Sequence, residues 1–178
     1  ISGDAPFTST LFENVVVPKE NLIGQPGQGW EIAKHLLRYE REMMGSINMT
    51  TMGDERLCDR ARRLLGEKHL RVESALRAEI SRYEADRWAL DILGERVFDM
   101  GRAGRPIEAA GSILKVAGTE MLLRQADLAM AVSGPDGLLE DSPAAFDWFH
   151  APIGPIAGGS NEIQLNIIAK RVLGLPEN

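Results

Sequence analysis

After Gly29 the hydrophobic period of this chain changes from two to about 3.6 residues, and that switch restricts what it can fold into. The first helix is predicted over about Trp30–Met49. A second helical stretch begins near Asp54, a suitable N-cap, breaks at Leu65–Gly66, resumes near Lys68 and runs to about Met100. Leu76, Ile80, Tyr83, Leu90 and Val97 fall at helical spacing along it. Gly101–Pro106 reads as a turn, with Pro106 suited to the first position of the next helix. That helix spans about residues 107–132, carries Ile113, Val116, Ala117 and Met121, and is stopped by Ser133–Gly137. A short helix is predicted over Ala144–His150. The last starts at Gly159–Ser160, with Ser160 as N-cap, and ends at Leu173 before Gly174 and Pro176. Three long amphipathic helices and a shorter one bury their apolar stripes against each other, which predicts an all-α, antiparallel up-down helical bundle.

Residues 1 to about 23 differ. Thr8–Val16 (TSTLFENVV) alternates and is rich in β-formers, so a short N-terminal β segment is predicted, closed by Pro18. One strand cannot bury itself, so its sheet partners are expected in sequence beyond this chain. Gly24–Gly29 is a turn-rich linker. The organisation expected is therefore 1–25 as a β tail with its linker and 26–178 as the helical bundle. The first residue is Ile1, not Met, so the chain is expected to be either processed or cut from something longer.

Composition excludes several classes. Among 178 residues, 44% are apolar, enough for a core. No run of about 18 apolar residues is present, so no membrane span is expected. Ile1–Asp4 has neither a basic nor an apolar signal region. The net charge of −6, without a basic stripe, argues against nucleic acid. One cysteine, Cys58, permits no internal disulfide, and a cytoplasmic location fits. His35, His69 and His150 have no metal-ligand spacing, so no metal site is expected.

The residue most at odds with its surroundings is Glu40. On a helical wheel, Trp30, Ile32, Ala33, Leu36, Leu37, Met43, Met44 and Ile47 form one broad arc, with Glu31, Lys34, Arg38, Glu42 and Gly45 opposite. Glu40 falls near the middle of the apolar arc. Desolvation there raises a carboxylate's pKa, which suits a general base working near neutral pH. The bland alternative is a structural glutamate paired with an arginine such as Arg87, because an unpaired buried charge is costly. Arg41 lies at the arc's edge, where an arginine snorkels or forms an ion pair.

Ile156–Gln164 (IAGGSNEIQ) and Asn166–Gly174 (NIIAKRVLG) resemble the C-terminal signature of acyl-CoA dehydrogenases, usually IYEGTSEIQ followed by RNIIARRVLG. Phe12–Pro18 (FENVVVP) and Asn21–Gly24 (NLIG) resemble the end of that family's middle β-domain, and Trp30–Gly45 resembles the helix after it. The likeness covers nearly the whole chain. It implies that residues 1–25 are the tail of the β-domain and 26–178 the C-terminal helical domain, with the N-terminal helical domain and most of the β-domain missing.

The family's chemistry is α,β-dehydrogenation of an acyl-CoA thioester: a carboxylate removes the α-proton while the β-hydrogen leaves as hydride to N5 of FAD. Most members carry the base in the signature, at the position of Gly158 here. A smaller group, including isovaleryl- and long-chain-type enzymes, carries it on the first helix of this domain in an L-x-x-E-R context, which Leu37–Arg41 (LRYER) resembles. The resemblance thus implies Glu40 as catalytic base, with Arg38, Tyr39, Arg41, Gly158 and Gly159 at the substrate. It implies cofactor contacts from Ser160, Asn161 and Glu162, at a helix N-terminus whose free N–H groups favour the anionic parts of FAD. Gly134 belongs to the segment matching the family's Q-x-x-G-G-x-G loop, whose glutamine and second glycine are absent here. The family's R-x-x-F-G-x-P-I-x-x-x-Q stretch is not recognisable. Electron-transfer flavoprotein is the implied acceptor, and a homodimer or tetramer the implied assembly.

Two other functions fit the same residues: a non-catalytic subunit of a heteromeric acyl-CoA dehydrogenase, and a related flavin oxidase or monooxygenase. The 178-residue piece alone is expected to be inactive, because the β-domain builds most of the flavin pocket.

Overall fold

The computed structural model describes residues 8–46, 55–72 and 74–176, with the backbone alone for 38–46 and for 69, 71, 74 and 108. Its helices are α1 (Gly29–Ser46), α2 (Leu57–Val72), α3 (Ser74–Arg102), α4 (Glu108–Ser133), α5 (Pro143–His150) and α6 (Asn161–Arg171). Short 3-10 turns occur at Lys19–Asn21, Gly134–Leu138 and Ala151–Ile153. The expected N-cap at Asp54 and the expected end of the first helix at Met49 lie outside the described residues.

The helix boundaries follow local chemistry. Gly66, at φ +75° and ψ 155°, breaks α2 where the sequence predicts a break. Gly104 (φ +67°) turns the chain between α3 and α4, and Gly134 (φ +56°) ends α4. Pro106 stands two residues before α4, whose N-cap is Ile107. At the start of α6 the Ser160 hydroxyl accepts from the Ile163 N–H at 3.4 Å, as expected of an N-cap.

Cross-helix pairs establish the antiparallel register. Arg56 and Cys58 of the α2 entry meet Glu84 of α3, and Arg124 of α4 meets Asp86 of α3 at 2.6 Å. Further down the α3–α4 hairpin, Gly118 lies against Leu90. Trp148 of α5 donates to Asp127 of α4 at 2.8 Å. Helix α4 is apolar nearly all round, as a helix packed on every side must be. It touches α1, α2, α3, α5 and α6. The core gathers Leu57, Ala61, Ile80, Tyr83, Leu128, Ala129, Val132 and Ala144 around its C-terminal half. Each fully buried branched side chain there contributes about 1.5–3 kcal/mol.

The predicted strand has no ladder. Residues 8–17 carry no regular secondary structure, and Leu11, Phe12, Val15, Val16 and Val17 are exposed. A strand exists through its hydrogen-bonded neighbour, and no described segment supplies one. No described helix is long and apolar enough to cross a membrane.

Candidate active site

The N-terminal half of α4 carries a polar cluster inside an apolar helix. Lys115 is 9% exposed, among Ile113, Leu114, Val116 and Ala117. Its Nζ lies 2.8 Å from Asn161 Oδ1 and 3.1 Å from the Pro155 carbonyl oxygen. Thr119, one turn along, places Oγ1 3.0 Å from the same Asn161 oxygen. Burial pushes the Lys115 ammonium below the ordinary lysine value, while the negative charge of Glu162 works against that.

These contacts hold the segment that leads into α6. Gly158 (φ +65°) and Gly159 (φ +90°) turn the chain there. Gln164, 1% exposed, directs Nε2 to the Gly158 carbonyl oxygen at 3.5 Å. A β-carbon on Gly159 would stand 2.8 Å from that Nε2, so glycine is needed both for the backbone angle and for the space. Gln164 Oε1 is buried without a hydrogen-bond partner among the described residues.

The predicted site residues fall into three groups. Gly158, Gly159, Ser160, Asn161 and Glu162 share the turn at the start of α6. Gly134 lies at the far end of α4; the 15 residues from Thr119 correspond to about 22 Å along the helix axis. One chain therefore does not bring Gly134 to the α6 turn. Arg38, Tyr39, Glu40 and Arg41 belong to α1, which packs on α4, but their side chains lie outside the described residues. Arg87, the arginine weighed as a partner of Glu40, donates from Nε to Asp91 Oδ1 at 3.1 Å.

Sequence reasoning missed Lys115, Thr119 and Gln164. A signal existed for the first of them: a cation within the apolar run ILKVAG of α4 is as conspicuous as Glu40 on α1. A shallow groove of about 390 Å³, lined in part by Ile92, Arg96, Asp99 and Arg105, lies where α3 meets its turn, and none of the predicted site residues borders it. No group of three or more His, Cys, Asp or Glu among the described residues is arranged to hold a metal.

Residues 27–173 match the family model described as acyl-CoA dehydrogenase, C-terminal domain. The chain belongs to the acyl-CoA dehydrogenase family. It is 31% identical over 176 residues to acyl-CoA dehydrogenase FadE34 of Mycobacterium tuberculosis, covering 99% of this chain and 24% of that protein. It is 28% identical over 180 residues to acyl-CoA dehydrogenase IpdE1 of Mycolicibacterium smegmatis, covering 99% of this chain and 44% of the relative. The chain thus spans less than half the length of these two relatives. The fold matches the acyl-CoA dehydrogenase of Geobacillus kaustophilus with a TM-score of 0.73 at 22% identity, over 90% of this chain and 43% of that one. It matches the butyryl-CoA dehydrogenase of Megasphaera elsdenii with a TM-score of 0.71 at 22% identity, over 92% of this chain and 43% of that one.

For an acyl-CoA dehydrogenase, the α6 turn is unexpectedly self-contained. The Asn161 N–H donates to the Pro155 carbonyl at 2.8 Å and that of Ile163 to Ser160 Oγ. The Glu162 N–H bonds its own carboxylate; with a further hydrogen bond from the Ser160 hydroxyl and the charge of Lys115, it holds that carboxyl below the ordinary range. Two of the amides expected to be free for the anionic parts of FAD, those of Asn161 and Ile163, are engaged within the turn.

Proposed function

We propose that this chain is the C-terminal part of an FAD-dependent acyl-CoA dehydrogenase that catalyses α,β-dehydrogenation of an acyl-CoA thioester, with Glu40 as the base. The observation that carries this reading is Gly158. At the signature position where most of the family has its carboxylate, this chain has no side chain and a left-handed backbone. The base must then come from elsewhere, and Glu40 in Leu37–Arg41 sits on α1, which packs on the same α4 that anchors the α6 turn.

In this reading Glu40 takes the α-proton, Arg38, Tyr39 and Arg41 flank it, and Gly158 and Gly159 leave room for the thioester. FAD, when bound, supplies the acceptor for the β-hydrogen. Ser160, Asn161 and Glu162 form one edge of its site. Gly134, about 22 Å along α4 from Thr119, serves the site of a neighbouring subunit, in keeping with a homodimer or tetramer. Exposed Trp88, Phe98, Ile163 and Leu165 supply apolar surface for such contacts. Electron-transfer flavoprotein is the proposed acceptor and the cytoplasm the proposed compartment. The 178 residues alone are proposed to be inactive.

The test is Glu40→Gln in the full-length protein, assayed with a panel of acyl-CoAs and an artificial acceptor. Turnover should vanish with folding and FAD content nearly intact. A variant that keeps most of its activity removes Glu40 from the mechanism.

The engaged amides of the α6 turn and the missing glutamine and second glycine before Gly137 favour a second reading, a non-catalytic subunit of a heteromeric dehydrogenase. Stoichiometric FAD and activity in the full-length protein by itself would exclude it. Rapid reoxidation of the substrate-reduced flavin by O₂ would instead favour an oxidase or monooxygenase.

A further inference from the structure

We infer that Lys115 is a positioning residue: it clamps both ends of the Pro155–Asn161 segment to α4 and thereby sets the turn at Gly158–Ser160. Its bearing on catalysis rests on the function proposed above, which places substrate and flavin at that turn.

The segment is closed at its base and pinned at the same point. The Pro155 carbonyl accepts from the Asn161 N–H at 2.8 Å and from Lys115 Nζ at 3.1 Å. Asn161 Oδ1 accepts from Lys115 at 2.8 Å and lies 3.0 Å from Thr119 Oγ1. One ammonium therefore touches both ends of the segment. Just upstream the backbone presses on α4: a β-carbon on Gly154 would stand 3.0 Å from Leu122 Cδ2 and 3.4 Å from Thr119 Cγ2. Between these anchors come two consecutive positive-φ glycines, Gly158 and Gly159. They have no side chains to hold themselves in place, so the anchors and Gln164 determine where the turn lies. The Gln164 bond, at 3.5 Å, is at the limit of hydrogen-bonding distance and is the weaker hold.

A purely structural role would not call for an ammonium here. A buried charge costs desolvation, and an apolar side chain of similar length would fill the space at least as well. A charge with several donors does what methionine cannot, which is to hold two acceptors on different stretches of backbone in a fixed relation.

Lys115→Met separates the two roles. The Pro155 carbonyl keeps the Asn161 N–H as a donor, and the Thr119 hydroxyl stays within reach of Asn161 Oδ1 as well as of the Lys115 and Val116 carbonyls of its own helix, so the variant should fold. In full-length protein, exchange of the Ala157 and Asn161 amides should accelerate at least about tenfold. With FAD bound, kcat for an acyl-CoA should fall by a similar factor while KM changes less than about threefold, and the visible circular dichroism of the flavin should change. Thr119→Val should move each readout part of the way, and Thr119→Ser should leave them near wild type.

Unchanged exchange in Lys115→Met overturns the clamp. Faster exchange with unaltered kcat and flavin dichroism overturns the positioning role. Wild-type full-length protein that binds no flavin and dehydrogenates no acyl-CoA sinks the proposed function instead, and amide exchange then decides the clamp alone.

Discussion

The Glu84 carboxylate of α3 caps α2, with Oε1 3.0 Å from the backbone nitrogen of Cys58 and Oε2 2.7 Å from Arg56 Nη2. Burial by itself would raise this carboxyl. The bonds from Arg56 and Cys58 together outweigh that and hold it below the ordinary value. A depressed folded-state pKa contributes stability above the unfolded value, which is lost as pH falls through the folded value. Glu84→Gln should therefore cost about 1 kcal/mol at pH 7. The gap to wild type should close as pH falls below 4.5. Urea midpoints at several pH values measure this; a gap that persists at about pH 2.5 would count against the charged cap.

Removing the acceptor beside Lys115 should hurt more than removing the charge. Asn161→Leu leaves a nearly buried ammonium with Pro155 as its remaining acceptor among those described. Losing one partner of a buried charge costs about 3–5 kcal/mol in the strongest cases, so at least about 2 kcal/mol is expected here. Asn161→Asp keeps an acceptor and should recover most of it. Thermal or urea unfolding of the full-length variants decides, and equal stability for the leucine and aspartate variants would refute the argument.

Two glycines should resist alanine for different reasons. Gly66 has open space around it but lies at φ +75° and ψ 155°, a region essentially restricted to glycine. Gly66→Ala should cost about 1–3 kcal/mol through backbone strain alone. Gly159→Ala adds a steric clash, because the neighbour it meets is the fully buried Gln164 amide, which has little room to retreat. The second substitution should be the more damaging in a side-by-side unfolding measurement.

Moving the carboxylate tests the proposed base most directly. Gly158 has φ +65°, and a non-glycine residue there pays about 1–2 kcal/mol. Glu40→Gln with Gly158→Glu should regain part of the turnover that Glu40→Gln loses, in an otherwise folded enzyme. If the double variant stays as inactive as the single one while retaining FAD, the two positions do not serve one reaction centre.

Much of this architecture was legible in the residues themselves. The break at Gly66, the turn at Gly104, the stop at Gly134 and the Ser160 cap depend on backbone angles and side-chain reach over a few positions, and local sequence encodes those. The family, too, was legible, because the signature over Ile156–Gly174 is long and ordered. The isolated strand over Thr8–Val16 was legible only as a propensity, since a ladder needs a second segment. Three-dimensional packing decided the rest. It brought Lys115 and Asn161, 46 positions apart, within hydrogen-bonding distance and placed Gly134 at the opposite end of α4. Periodicity tells which face of a helix is apolar, but which polar atom finds which partner depends on how the helices cross.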